Sequence, residues 1–127
     1  TCHNDLLNAN FLRDGDHTWI VDYEYAGMGD PFFDLGNLAV NNDLDAAADA
    51  LLLAHAYGEV RDRHRARLAL MRVMSDFREA MWGVVQQAIS ALDEDFEAYA
   101  TKHFDRLLTT AAGLPMEDLL EAAQGPS

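Results

Sequence analysis

The chain has 127 residues, half of them apolar, which is enough to form one sizeable hydrophobic core. Its 22 acidic residues outnumber 9 basic ones and give a formal net charge of -13, which disfavours nucleic acid and favours a small cationic partner. No apolar run is long enough to span a bilayer and no basic-then-apolar leader is present, so we expect a cytoplasmic protein without a membrane partner.

A β-hairpin is the first predicted element. The segments "ANFL" and "HTWIVDY" are rich in aromatic and β-branched residues, and the "RDGD" between them supplies turn residues. We expect Trp19, in the second strand, to be a packing residue. The next segment, "GMGDPFFDLGN", is punctuated by Gly and Pro, which predicts a loop.

Helical patterns fill the rest of the chain. Asn42 and Asp43 are N-cap candidates for a helix that Gly58 ends. Across residues 60–91 apolar side chains recur at spacings of three and four, which predicts one amphipathic helix or a helix pair. A further amphipathic helix follows, and Pro115 suits the first turn of a short last one. The pattern predicts an α+β fold that is mostly helical.

The polar residues that open the chain have the spacing of a phosphoryl-transfer loop. Asp5 and Asn10 lie five residues apart, and an apolar segment that ends in Asp22 follows. Phosphoryl transfer from ATP needs a carboxylate that receives the proton of the attacking hydroxyl, and oxygen ligands that hold Mg²⁺ against the phosphates. H-x-D-x-x-x-x-N alone is also common in solvated loops, but the strand that ends in Asp22 favours the catalytic interpretation.

Two segments, "HNDLLNANFL" and "IVDYEYAGMGDPFFDLGNLA", resemble the catalytic core of the choline/ethanolamine kinase family. This family belongs to the aminoglycoside-phosphotransferase-like kinases, which have a protein-kinase-like fold. A weaker resemblance continues through "MWGVVQQAISALDEDFEAYATKHFDRLL". The resemblance implies the C-terminal lobe of that fold, Mg²⁺ as cofactor, ATP as co-substrate, and phosphorylation of a hydroxyl on a small cationic amino alcohol, choline or ethanolamine.

The resemblance also implies roles for the residues at the front of the chain. Asp5 matches the catalytic carboxylate, and His3 matches the residue that supports the catalytic loop. Asn10 and Asp22 match the metal ligands. Glu24 matches a position that either joins the metal shell or braces the loop.

Four further positions complete the expected site. Asp34 matches a brace of the catalytic loop. Choline-type kinases hold their substrate cation between aromatic rings, and Trp82 and Tyr99 fall where the family's helices contribute such rings. Their spacing alone equally indicates core residues of two helices. Asn41 stands where choline kinases commonly have a Glu that helps to bind the ammonium group, a departure that weighs against choline itself.

The family resemblance sets an expected domain organisation. Residues 1–127 form one C-terminal-lobe domain, in which 1–41 carry the catalytic loop, hairpin and metal-binding segment and 42–127 form a helical substrate-side subdomain. The ATP-binding N-terminal lobe has no counterpart in the sequence, so we expect the chain alone to be inactive. Apolar surface that the missing helix before the loop would cover could promote self-association.

Other functions remain open at this stage. A thiamine or aminoglycoside kinase of the same group would also suit "DYEYAGMGDP". A non-catalytic kinase-like binding module is a further alternative, although it would not need all three of Asp5, Asn10 and Asp22. A metal-dependent hydrolase is least favoured, because no two histidines have an H-x-x-x-H spacing.

Overall fold

The computed structural model describes residues 1–126. Its elements, after a single 3-10 turn at Asn8–Asn10, are β1 (Phe11–Asp14), β2 (His17–Ile20), α1 (Pro31–Asn41), α2 (Ala46–Tyr57), α3 (Asp62–Ile89), α4 (Phe96–Ala112) and α5 (Met116–Ala123). The predicted fold class is confirmed, because five helices and one two-stranded antiparallel sheet make up the described residues.

The hairpin lies on the surface. β1 and β2 pair antiparallel in the register Phe11↔Ile20 and Leu12↔Trp19. Gly15, with φ of +58°, makes the tight turn that a side chain would disfavour. The expectation that Trp19 packs in the interior is wrong, because both strands are exposed along nearly their whole length and Trp19 is 60% exposed.

Helix α1 lies where the sequence predicts a loop, so that prediction is wrong. The Asp30 side chain caps the helix by accepting a hydrogen bond from the backbone N–H of Phe32 at 2.9 Å. Pro31 is the first helical residue, where its missing N–H costs no hydrogen bond. The Gly and Pro residues therefore mark the start of a helix here, and α1 presents its side chains to the loop that precedes the hairpin.

Helix α3 is the centre of the fold. It is one continuous helix of 28 residues, and α1, α4 and α5 all pack against it. Gly36 lets α1 approach closely, because a Cβ there would stand 2.6 Å from the backbone carbon of Met71. The hydrophobic core lies between α1, α2 and α3 around Phe32, Ala39, Leu53 and Leu68.

The second helix begins later than the sequence predicts. Asp45 is its N-cap and accepts a hydrogen bond from the backbone N–H of Ala48 at 2.8 Å, so the N-cap prediction at Asn42 and Asp43 is wrong. Gly58, with φ of +72°, ends the helix as predicted. Among the described helices, none combines the length and the apolar character needed to cross a membrane.

Candidate active site

Two side chains of α1 hold the backbone of the loop that contains Asp5. The carboxylate of Asp34 accepts the backbone N–H of His3 and the backbone N–H of Asn4, each at 2.7 Å. The side-chain oxygen of Asn37 accepts the backbone N–H of Leu6 at 2.5 Å. These bonds fix the loop on both sides of Asp5, and they hold Asn4 at a φ of 67°, which non-glycine residues rarely adopt.

His3 connects this loop to the segment that follows β2. Its Nδ1 accepts the backbone N–H of Asp5 at 3.2 Å, and its Nε2 lies 2.9 Å from the carbonyl oxygen of Val21. His3 is 6% exposed, and its ring packs edge-on against Tyr23. Both ring nitrogens have backbone partners, so the geometry suits support of the loop better than proton transfer.

Asp5 is a buried carboxylate held by two partners. The Nδ2 of Asn10 donates to its carbonyl oxygen at 2.8 Å and to Oδ2 at 3.2 Å, and Arg78 lies 3.4 Å from Oδ1. Burial raises the pKa of Asp5 and outweighs the lowering by Arg78 and Asn10, so this pKa lies above its ordinary value. A carboxylate with a raised pKa accepts a proton more readily, which suits a general base.

Asp22 lies beside Asp5 on the neighbouring segment. The backbone N–H of Val21 donates to the carbonyl oxygen of Asn10 at 3.0 Å, which joins the two segments just before Asp22. Asp22 is exposed, has a φ of 66°, and is near enough for its charge to help raise the pKa of Asp5. Glu24 follows in an exposed turn.

The donor set of Asn10 and Asp22 fits Mg²⁺. Asn10 bonds Asp5 through its amide nitrogen, which leaves the amide oxygen as a possible ligand, and the carboxylate of Asp22 is exposed. Residues 1–126 contain no group of three or more His, Cys, Asp or Glu side chains arranged to hold a metal. Mg²⁺ does not need such a group, because it keeps several waters and takes other ligands from nucleotide phosphates.

Arg78 of α3 reaches the loop and its neighbour Glu79 binds Arg78, and sequence reasoning missed both residues. Arg78 donates to the backbone carbonyl of Asn4 and, at 2.9 Å, to Oε1 of Glu79. Oε2 of Glu79 accepts the hydroxyl of Tyr99 at 2.6 Å. These contacts link Asp5 to α4, the helix that carries Tyr99.

Trp82 and Tyr99 lie against each other between α3 and α4. Their rings meet edge to face with centroids 5.4 Å apart, and both side chains are partly buried. Burial and the hydrogen bond to Glu79 raise the pKa of Tyr99 well above its ordinary value, so the phenol stays protonated. A groove of about 710 Å³ runs from Arg78 along the exposed apolar face of α3 to Trp82 and Val85.

Asn41 lies apart from these rings in a second polar cluster. Its side-chain oxygen accepts a hydrogen bond from Arg106 at 3.2 Å, and Arg106 also binds Asp76 at 2.6 Å. Asp76 lies 2.9 Å from Nδ1 of His103, whose ring packs on Tyr99. Within residues 1–126 the buried amide nitrogen of Asn41 has no hydrogen-bond partner. The structure therefore brings Asn41 to α4 through Arg106.

Comparisons with known proteins match both the sequence and the fold. The sequence pattern of the phosphotransferase enzyme family matches residues 1–69. The Protein LicA of Haemophilus influenzae strain Rd is 25% identical over 118 residues, which cover 90% of this chain and 44% of that protein. Ethanolamine kinase 2 of Homo sapiens is 33% identical over 126 residues, which cover 83% of this chain and 33% of that protein.

A solved structure shares the fold. The crystal structure of a choline/ethanolamine kinase family protein from Mesorhizobium loti superposes with a TM-score of 0.87 at 37% identity, over 97% of this chain and 42% of that one. The matches confirm the family resemblance drawn from the sequence. The chain spans less than half the length of these relatives.

Proposed function

The chain belongs to the phosphotransferase enzyme family, and from that premise we propose that it carries the catalytic loop of an ATP-dependent kinase for a small cationic alcohol. One observation carries the proposal above the others. The buried carboxylate of Asp5 is held by Asn10 and Arg78 beside the exposed Asp22, which is the set of groups that phosphoryl transfer requires.

The proposed chemistry uses Asp5 as the general base. Its carboxylate orients the acceptor hydroxyl and takes the proton as the hydroxyl oxygen bonds to the γ-phosphorus of ATP. The bond between that phosphorus and the β,γ-bridging oxygen breaks, and ADP leaves with the electron pair. The phosphorylated alcohol and ADP are the products, and Asp5 returns its proton to solvent. His3 keeps the loop in place through its contact with the backbone of Asp5.

Asn10 and Asp22 are the proposed Mg²⁺ ligands. When bound, the ion would neutralise charge on the nucleotide phosphates. Asn10 serves two purposes in this proposal, because its amide nitrogen positions Asp5 and its amide oxygen is available to the ion. Glu24, exposed two residues after Asp22, either joins this shell or braces the loop. Asp34 is the proposed brace of the catalytic loop from α1, since it binds two backbone amides of that loop.

Choline or ethanolamine is the proposed acceptor. Support comes from the ethanolamine kinases and the choline/ethanolamine kinase family protein among the relatives. The adjoining rings of Trp82 and Tyr99, which meet edge to face, suit a cation, and the net charge of -13 would attract one. Asn41 is neutral and faces Arg106, so this position adds no carboxylate for the ammonium group.

The ATP-binding lobe is proposed to lie outside these 127 residues. The chain covers only 33% to 44% of the relatives described above, and the Lys and hinge that such kinases use to hold ATP have no counterpart here. The chain is therefore proposed to contribute the catalytic loop in 1–41 and the acceptor side in 42–127, and to be inactive alone.

The test uses the complete protein that contains this chain. It would be incubated with Mg-ATP and, separately, choline, ethanolamine, thiamine or an aminoglycoside, and the phosphorylated product identified by 31P NMR. A phosphoester of choline or ethanolamine is the expected product. Turnover of thiamine or the aminoglycoside alone would reject the proposed acceptor but retain the kinase. No product together with no Mg-ATP binding would reject the kinase in favour of a non-catalytic module.

A further inference from the structure

We propose that Arg78 is the positioning residue of the catalytic loop and that Glu79 and Tyr99 tie it to the acceptor side of the site. The inference rests on the proposed function, because the role of Arg78 is defined by its effect on Asp5. It predicts that the hydroxyl of Tyr99, which donates its hydrogen bond to Glu79, affects turnover through this chain of contacts.

The guanidinium group of Arg78 makes a fork of hydrogen bonds to the catalytic loop and to Glu79. One guanidinium nitrogen donates to the backbone carbonyl of Asn4, and the other lies 3.4 Å from Oδ1 of Asp5 and 2.9 Å from Oε1 of Glu79. A planar guanidinium can reach three acceptors in fixed directions, whereas the ammonium of a lysine is a compact charge at the end of a flexible stem. Charge alone therefore does not replace Arg78.

Aromatic rings keep the guanidinium in this place. The central carbon of Arg78 lies 5.6 Å from the ring centre of Tyr25 and 5.6 Å from that of Phe33. Attraction between a cation and a ring face stabilises such contacts. The side chain of Arg78 is 32% exposed, so it lies at the edge of the active site, against the loop, with its fork directed inward.

Glu79 holds Arg78 in place from the side of α4. Its side chain is only 4% exposed, and both of its oxygens are used, one by Arg78 and the other by the hydroxyl of Tyr99 at 2.6 Å. A buried carboxylate is stable only when its oxygens have partners, so the three side chains hold one another. The chain of contacts thus runs from α4 through α3 to Asp5.

The same helix offers a matched control. Arg72 of α3 also makes several bonds, to both carboxylate oxygens of Asp49 at 2.8 and 2.7 Å and to the carbonyl of Leu44. These contacts join α3 to the start of α2 and do not involve the catalytic loop. A lysine at position 72 loses the same kind of fork without touching Asp5.

The experiment measures kcat, KM for both substrates and the thermal midpoint of the complete kinase with its best acceptor. Arg78→Lys is expected to lower kcat about 10- to 100-fold, since small misplacements of a catalytic group cost that much, with each KM within about threefold of wild type. Tyr99→Phe keeps the ring and is expected to lower kcat at least fivefold with little change in acceptor KM. Arg72→Lys is expected to lower the thermal midpoint as Arg78→Lys does, with kcat within twofold.

The double variant Arg78→Lys/Tyr99→Phe tests the linkage. Because Tyr99 acts through Arg78, the double variant is expected to lose about as much kcat as Arg78→Lys alone. Losses of kcat that multiply in the double variant would overturn the chain of contacts.

Unchanged kcat in Arg78→Lys, or an equal loss of kcat in Arg72→Lys, would overturn the role of Arg78. If Arg78→Lys does not fold, Tyr99→Phe decides, because kcat within twofold of wild type overturns the inference. Absent turnover in wild type would instead reject the proposed function, and this inference with it.

Discussion

The side-chain amide nitrogen of Asn10 donates hydrogen bonds to two oxygen atoms of Asp5. Its Nδ2 donates to the backbone carbonyl of Asp5 at 2.8 Å and to the carboxylate oxygen Oδ2 at 3.2 Å. Asn10 is 8% exposed and Asp5 is 9% exposed, so water does not compete freely for these bonds. The pair therefore fixes both the backbone and the side chain of the proposed base.

Asn10→Ala is expected to lower kcat of the complete protein about 100-fold or more, because it frees Asp5 and removes a proposed Mg²⁺ ligand. The Mg²⁺ concentration for half-maximal rate is expected to rise. Steady-state assays over a Mg²⁺ titration measure both. Asn8→Ala, an exposed residue of the same 3-10 turn, is the control and should leave kcat within twofold. Equal losses in the two variants would contradict this role of Asn10.

Asp34→Ala is expected to destabilise the protein by about 1–3 kcal/mol, because the backbone N–H groups of His3 and Asn4 lose their acceptors. Urea unfolding at pH 7 measures the change in free energy. Asp105→Ala, at an exposed position of α4, should change it by less than about 0.5 kcal/mol. A stability loss no greater than that of the control would show that other groups or water satisfy these amides.

Gly36→Ala is expected to destabilise the contact between α1 and α3. The new Cβ would lie 2.6 to 2.8 Å from backbone atoms of Met71 and Arg72, which cannot rotate away. Overpacking of this kind costs about 1–3 kcal/mol. Gly27→Ala is the control, because nothing lies within 4 Å of a Cβ there. Thermal midpoints that fall equally for both variants would contradict the close approach.

Asp76 is expected to make stability depend on acid pH. Burial raises its pKa, but the hydrogen bonds from His103 and Arg106 outweigh burial, so the pKa of Asp76 lies below its ordinary value. A carboxyl group with a lowered folded pKa stabilises the fold above its unfolded pKa, which is about 3.9. That stabilisation is lost as pH falls through the folded pKa.

The Asp76→Asn variant tests whether the pKa of Asp76 is lowered in the folded protein. At pH 7 the variant is expected to lose about 3–5 kcal/mol, because the charges of a buried pair are left without a partner. Below about pH 4 the gap between wild type and variant should narrow, since wild type then loses the same interaction. Urea unfolding measured from pH 7 to pH 3 gives the gap at each pH. A gap that stays constant over this range would contradict the assigned pKa direction.

The sequence predicts the front of the chain well, because its elements are local. The spacing of Asp5, Asn10 and Asp22 needs only a turn and a hairpin to bring the residues together, and the predicted hairpin and the three helices after α2 are present. Helix α1 could have been predicted from Asp30 followed by Pro31, which is an N-cap and first-turn signal. Sequence reasoning that takes Gly and Pro only as loop residues does not predict α1.

Long-range partners explain what the sequence does not predict. Arg78 and Glu79 lie 73 and 74 positions after Asp5, on a helix where charged residues usually face solvent. Nothing in their local pattern distinguishes them from Arg72, and only the packing of α3 against the loop does. Trp19 shows the converse, because an aromatic residue in a strand is buried only if another layer covers the sheet.

The most direct test of the account is ADP release by the complete protein with Mg-ATP and its acceptor, in wild type and in Asp5→Asn. Loss of the proposed base is expected to lower kcat about 10²- to 10⁴-fold, while the KM for ATP stays within a few fold, because Asp5 is proposed to act on the acceptor hydroxyl. An Asp5→Asn variant that retains more than a tenth of the wild-type kcat would contradict the assignment of Asp5 as the base and the catalytic loop built around it.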